Sequence, residues 1–170
     1  MVNILIFDTT VASTNLGDQI ILDAVNENLK IMFSDGRFFN TPTHEIIGKS
    51  TYRLNKMSQY SFVAGTNLLS SNMNRYRQWK VSYFDSLFIK NTILFGVGWW
   101  QYQNFANFYT KILLKRLLSK KFVHSVRDSY TENKLKNIGL KNLINTGCPT
   151  TWKLSEEHCN KIPTSKGESV

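Results

Sequence analysis

The chain has 170 residues, of which 42% are hydrophobic and 19% are charged, with only 9 Gly and 3 Pro. This composition is typical of one folded globular domain and excludes a disordered segment and a collagen-like or repeat array. The formal net charge is +9, which fits an anionic partner such as nucleic acid and equally fits a solvated basic face.

The positive charge lies in the second half of the chain. Residues 1–50 carry 3 basic and 6 acidic side chains, residues 51–110 carry 6 and 1, and residues 111–141 carry 9 and 2. The basic residues of 111–141 are spread over predicted helix faces, and no nucleic-acid-binding motif accompanies them. We therefore expect no nucleic-acid partner.

The first residues do not resemble a targeting segment. The N-terminal apolar run has no basic residues before it and stops at Asp8, and the longest uncharged apolar run, residues 93–100, is too short to cross a bilayer. We expect a cytoplasmic protein with no membrane span. Cys148, Cys159 and the 3 histidines lack metal-ligand spacing, so we expect no metal site and reduced thiols.

Short β-prone runs alternate with helical periodicities along the chain. Asp18 begins a helical pattern of apolar residues at three- and four-residue spacing, a second pattern runs from Phe105 to Leu117, and a third occupies residues 128–138 and ends at Gly139. The predicted strands are 2–7, 37–41, 61–64, 92–96, 122–126 and 143–145.

This alternation predicts an α/β fold with a doubly wound, mainly parallel sheet and right-handed crossovers. Ligands of such sheets bind beyond the carboxyl ends of the strands, so function is expected in the loops that follow them. These loops contain Asn15-Leu16-Gly17-Asp18, Gly65-Thr66-Asn67, Gly96-Val97-Gly98, Arg127-Asp128 and Gly147-Cys148-Pro149.

The first loop has neither the Gly-x-Gly-x-x-Gly pattern nor a Walker lysine, so it does not predict ordinary dinucleotide or P-loop binding. Asp18 would also repel a phosphate at the start of its helix. Two interpretations of Asp18 remain open. It is only a helix cap, with Gly17 a turn former, or it faces the cleft as a hydrogen-bonding group or base toward a hydroxyl-rich substrate, with Asn15 fixing the loop.

Arg127 ends a predicted buried strand, where an unpaired guanidinium is costly. Either the adjacent Asp128 neutralises it, or its planar fork binds a carboxylate or phosphate in the cleft. Gly65, Gly96 and Gly98 allow close approach of the backbone to a ligand, although tight turns need glycine too. The aromatic residues that follow are core or helix-entry residues, or a platform on which a sugar stacks. They are Trp99, Trp100, Tyr102 and Phe105.

The motifs in these loops occur along the chain in the same order as in a known protein family. The chain resembles the N-terminal half of polysaccharide pyruvyl transferases over nearly its whole length. The motifs that carry this resemblance are Thr14-Asn15-Leu16-Gly17-Asp18, Gly65-Thr66-Asn67-Leu68-Leu69, Gly96-Val97-Gly98, Ser125-Val126-Arg127-Asp128-Ser129, and Gly139-Leu140 leading to Asn145-Thr146-Gly147-Cys148-Pro149.

The resemblance implies a two-domain, GT-B-like enzyme, in which residues 1–160 form a Rossmann-like N-terminal domain and residues 161–170 are a linker toward a second domain that this chain does not contain. It implies transfer of a pyruvyl group from phosphoenolpyruvate to a pair of sugar hydroxyls in glycan or exopolysaccharide synthesis, with phosphoenolpyruvate as donor substrate and no other cofactor.

The resemblance also implies roles for individual residues. Arg127 matches the arginine of the Val-Arg-Asp motif and is expected to bind the donor, and Asp18 is expected to act on the acceptor side or in acid-base chemistry. Both are therefore expected to be catalytic. The expected substrate-binding residues are Asn15, Gly17, Gly65, Thr66, Asn67, Gly98 and Asp128. The alternatives are a catalytically silent module that binds a sugar or phosphate ligand, or a glycosyltransferase-like domain. Nucleic-acid binding is a third hypothesis, against which the absence of a nucleic-acid-binding motif argues.

Overall fold

The structure, a computed structural model, describes residues 1–163. Seven of the ten residues of the predicted linker, 164–170, lie outside this range. The strands are β1 (Asn3–Asp8), β2 (Arg37–Pro42), β3 (Tyr60–Ala64), β4 (Thr92–Phe95), β5 (His124–Val126) and β6 (Leu143–Asn145). The α-helices are α1 (Leu16–Met32), α2 (Lys49–Met57), α3 (Phe108–Leu117), α4 (Ser129–Ile138) and α5 (Glu156–Asn160).

The strands form the parallel arrangement that the sequence predicts. β1 to β4 pair in the order β2-β1-β3-β4, and β5 pairs with β6, with every pairing parallel. β5 lies beside β4, since the Gly96 amide donates to the Ser125 carbonyl at 3.0 Å. A parallel sheet interleaved with helices is an α/β, Rossmann-like architecture, and the strand order reverses between β1 and β3.

The two faces of the sheet are buried differently. On one face Ile4 and Ile6 pack with Leu22, Val25 and Leu29 of α1. On the other face Leu5 and Phe7 of β1 belong to a larger hydrophobic cluster, to which α3 and α4 contribute their buried leucines. Burial of β1 on both faces explains why it is a nearly continuous apolar run in the sequence.

Two predicted helix starts are wrong. α1 begins at Leu16, two residues before Asp18, because the Asn15 side chain accepts a hydrogen bond from the Gly17 amide and caps the helix. α3 begins at Phe108, capped by Asn107, so Phe105 precedes it, and both Phe105 and Phe108 are exposed instead of continuing the apolar stripe.

Other boundaries are close to prediction. α4 starts after its cap Asp128 and ends at Gly139, whose φ of 99° suits a residue without a side chain. β5 starts at His124, two residues later than expected. The long segment between β3 and β4 and the helix α2 were not predicted. Within residues 1–163 no helix is long and apolar enough to cross a bilayer.

His124 is a buried titratable residue that connects β5 to β4. It is fully buried, its Nδ1 accepts from the Leu94 amide at 3.1 Å, and its Nε2 lies 2.8 Å from the Ser119 carbonyl. These partners select the neutral ring with the proton on Nε2. Burial lowers the pKa of His124 from its usual 6.5, and the hydrogen bond to Ser119 only partly offsets this effect.

We predict that the free energy of unfolding decreases as the pH falls from 6.5, because the unfolded chain then binds a proton that the folded chain excludes. Chemical denaturation at a series of pH values measures it. His124→Gln should be less stable near neutral pH and should lose part of this dependence, whereas the exposed His158→Gln should keep all of it. An unchanged slope in His124→Gln would contradict the prediction.

Candidate active site at the carboxyl edge of the sheet

The loop after β1 places a carboxylate at the edge of the sheet. Asp18 is buried in the first turn of α1, and its Oδ2 accepts a hydrogen bond from Ser13 Oγ at 2.7 Å. Asn15, not Asp18, is the helix cap, so the interpretation of Asp18 as only a cap is wrong. Asn15 holds the loop by its bond to the Gly17 amide at 3.0 Å.

The loops after β3, β4 and β5 meet at Gly98. The Gly98 amide donates to the Thr66 carbonyl at 2.9 Å, and the Arg127 amide donates to the Val97 carbonyl at 3.1 Å. A Cβ on Gly98 would overlap Asn67 Oδ1 and the Cδ of Arg127 and would lie 2.9 Å from the Cγ of Arg127. The absence of a side chain therefore lets Asn67 and Arg127 come together, with Arg127 Nη1 3.3 Å from Asn67 Oδ1.

Asp128 does not neutralise Arg127, contrary to one of the two interpretations of that pair. Its Oδ1 instead accepts from the Thr131 amide at 2.6 Å and caps α4. Within residues 1–163 the half-buried Arg127 forms no ion pair with a carboxylate. Its guanidinium is therefore available for an anion.

Arg127 and Asp18 line two cavities that share Asn67. The larger, about 330 Å³, is lined by Asn67, Trp99, Gln101, Tyr102, Arg127, Asp128, Ser129 and Tyr130. The smaller, about 170 Å³, is lined by Asn15, Asp18, His44, Thr66, Asn67, Gln78 and Trp100. Six of the nine predicted site residues thus line a polar surface at the carboxyl edge.

Of the three predicted glycines, Gly65 and Gly98 are buried beneath this surface, whereas Gly17 is half-buried. A Cβ on Gly65 would overlap the Gly96 carbonyl oxygen and would lie 3.0 Å from Pro149 Cγ, so Gly65 permits close packing of three loops. Gly17 lies in the first turn of α1 and Gly98 under Arg127. Contact of these glycines with a substrate stays a prediction.

The aromatic residues that follow β4 differ in how deeply they are buried. Trp99 is 3% exposed and belongs to the core, whereas Tyr102 is 90% exposed. Trp100 is half-buried, lies beside Tyr76 with ring centroids 5.2 Å apart, and lines the smaller cavity. Trp99 is therefore a core residue, as one interpretation predicts, whereas Tyr102 and Phe105 are exposed and Phe105 lies at the entry to α3.

Several residues at the site were not predicted. His44 Nδ1 lies 2.9 Å from the Gln78 carbonyl, and both residues line the cavity with Asp18. They come from the irregular segments after β2 and β3, which carry no periodic signal. Ser13, the partner of Asp18, lies in a loop whose turn chemistry alone could have suggested a hydroxyl donor.

Together these features define an α/β domain in which a cation and a buried carboxylate line adjoining cavities at the carboxyl edge of the sheet. The family model described as polysaccharide pyruvyl transferase matches residues 15–169, and the chain belongs to this family. The resemblance noted in the sequence is thereby confirmed. The chain is not significantly similar to any curated protein or solved structure with which it was compared.

We predict that Gly98→Ala separates Arg127 from Asn67, because the new methyl group needs the space that both side chains occupy. Overpacking of this kind costs about 1–3 kcal/mol of stability. Denaturant unfolding and the side-chain nitrogen NMR signal of Arg127 measure the two effects. Gly48→Ala is the matched control, since nothing lies within 4 Å of its Cβ position. An unchanged Arg127 signal in Gly98→Ala would contradict the prediction.

Proposed function

We propose that this domain binds phosphoenolpyruvate and a glycan acceptor and transfers a pyruvyl group to two sugar hydroxyls. The single observation that carries the proposal is the half-buried Arg127, which lines a cavity and has no carboxylate partner among residues 1–163, in a chain that belongs to the pyruvyl transferase family.

Arg127 suits the donor. Its guanidinium presents a planar set of N–H donors that matches a carboxylate or a phosphate, and phosphoenolpyruvate has both. Asn67 Oδ1 accepts from Nη1 and so orients the group. The cavity volume of about 330 Å³ falls at the small end of the range of ligand sites, roughly 300–1,000 Å³, as a three-carbon donor requires.

Asp18 suits the acceptor. A carboxylate that is held by Ser13 and faces a cavity can accept a hydrogen bond from a sugar hydroxyl and can take up its proton. Asn67 contributes to both cavities, so a sugar near Asp18 and a donor on Arg127 would meet at this side chain. Trp100 lines the same cavity and provides an aromatic side chain there for an apolar side of the sugar.

The proposed reaction needs no redox partner. Two new C–O bonds form between the central carbon of phosphoenolpyruvate and two hydroxyl oxygens, and the bond from that carbon to the phosphate oxygen breaks. One hydroxyl proton ends on the methylene carbon, which becomes a methyl group, and the other leaves with inorganic phosphate. The product is a ketal that retains the carboxylate of the donor.

We predict that Arg127→Ala weakens phosphoenolpyruvate binding by at least tenfold, since a charge-assisted hydrogen bond contributes about 1.5–3 kcal/mol. Isothermal titration calorimetry of the chain measures the change. Arg127→Lys should retain only part of the affinity, because lysine keeps the positive charge but lacks the planar set of N–H donors of the guanidinium. Arg37→Ala, which removes an exposed arginine at the start of β2, is the control. Unchanged affinity in Arg127→Ala would overturn the donor assignment.

We predict that Asp18→Asn lowers the rate of transfer by about 10²–10⁴-fold, the usual contribution of a general base, and leaves phosphoenolpyruvate affinity nearly unchanged. Phosphate release in the presence of a glycan acceptor measures the rate, and calorimetry measures the affinity. A parallel loss of donor affinity would place Asp18 in the donor site instead. Binding of donor and glycan by the unaltered chain without phosphate release would favour the silent binding module.

A further inference from the structure

The amino edge of the sheet, at the opposite end of the strands from the candidate active site, is lined by cations. Lys90 lies two residues before β4, Lys121 three residues before β5, and Lys141 two residues before β6. The C-terminal turn of α3 adds two more cations to the same edge. We call the following set the basic edge: Lys90, Lys115, Arg116, Lys120, Lys121 and Lys141.

The basic edge is continuous and is not neutralised. One cavity of about 450 Å³ is lined by all of its members except Lys141, and a second of about 390 Å³ is lined by Lys115, Lys120 and Lys141. The two cavities therefore share two lysines. In the part of the chain that the structure describes, no member of the basic edge forms an ion pair with a carboxylate.

An exposed apolar segment borders the basic edge. Residues 83–88, which lie between β3 and β4, expose four large side chains, which we call the apolar knob: Tyr83 at 44%, Phe84 at 61%, Leu87 at 42% and Phe88 at 49%. Arg116 connects the two surfaces. Its Nε donates to Ser86 Oγ at 3.1 Å, and its guanidinium carbon lies 5.1 Å from the centre of the Tyr83 ring.

The apolar knob is held in its exposed position. The Asp85 carboxylate accepts from the Ser82 amide at 2.7 Å and from the Tyr52 hydroxyl at 2.5 Å. The hydrogen bond to Asp85, together with burial, raises the pKa of Tyr52 to about 12, so the hydroxyl stays protonated and keeps donating. Phe88 stacks on Tyr52 with ring centroids 4.7 Å apart. Partly buried hydrogen bonds therefore hold the segment that exposes these side chains.

We propose that the basic edge and the apolar knob together form a docking surface for an anionic lipid bilayer. Aromatic and leucine side chains insert shallowly at the boundary between headgroups and acyl chains, and flanking lysines and arginines bind anionic headgroups. A soluble polyanion would engage the cations and leave Phe84 and Leu87 in water, so the apolar knob favours a lipid surface. Docking at the amino edge leaves the carboxyl edge open to substrates.

Vesicle sedimentation tests the proposal with the 170-residue chain. The chain should bind vesicles of equal parts phosphatidylcholine and phosphatidylglycerol, bind phosphatidylcholine alone much more weakly, and lose affinity as salt increases. Lys120→Glu with Lys121→Glu should reduce the affinity by at least tenfold, since each surface cation contributes several-fold to binding of anionic lipid. Phe84→Ser with Leu87→Ser should reduce it comparably without any change in net charge.

A double variant in α1, Lys30→Glu with Ile31→Ser, is the matched control and should bind like the unaltered chain, because both side chains are exposed but belong neither to the basic edge nor to the apolar knob. A second readout avoids destabilising changes. Phe84→Trp should add tryptophan fluorescence, and its emission maximum should shift to the blue when anionic vesicles are added.

Three results would overturn the proposal: equal binding to neutral vesicles, full affinity of the Phe84→Ser and Leu87→Ser variant, or no blue shift. If that variant kept full affinity and heparin released the chain from the vesicles, the surface would be a site for soluble polyanions instead.

Discussion

The candidate site depends on the contact between three loops at Gly98. Asn67 Oδ1 and the aliphatic stem of Arg127 occupy the space that any side chain at this position would need. Backbone hydrogen bonds from Gly98 to Thr66 and from Arg127 to Val97 hold the same loops in register. A cation that would otherwise extend into solvent is thereby fixed at the edge of a rigid sheet, which is the preorganisation that ligand binding requires.

The two edges of the parallel sheet carry different sets of charged side chains. At its carboxyl edge a buried carboxylate, Asp18, and a cation, Arg127, lie in adjoining cavities and suit a ligand with both hydroxyl and anionic groups. At its amino edge the six cations of the basic edge have no acidic partners within residues 1–163. The net charge of +9 is therefore not a uniform property of the surface. Most of the excess belongs to an edge that takes no part in the proposed chemistry.

The sequence predicts β1, β3 and β4 well because buried parallel strands need apolar runs. All six predicted strands exist in the described range. It also predicts which loops converge, since parallel strands bring their carboxyl ends to one edge. The start of α1 was missed because the capping role of Asn15 is local hydrogen bonding that apolar periodicity does not report. His44 and Gln78 were missed because tertiary contact alone brings these irregular segments to Asp18.

Family membership places the chain among polysaccharide pyruvyl transferases, and we propose that Arg127 binds the donor. The most direct test is a crystal structure of the chain with phosphoenolpyruvate. We predict that the carboxylate or the phosphate of the donor contacts the Arg127 guanidinium in the cavity that includes Asn67 and Tyr130. A donor bound elsewhere, for example between Lys115 and Lys120 at the amino edge, would contradict it.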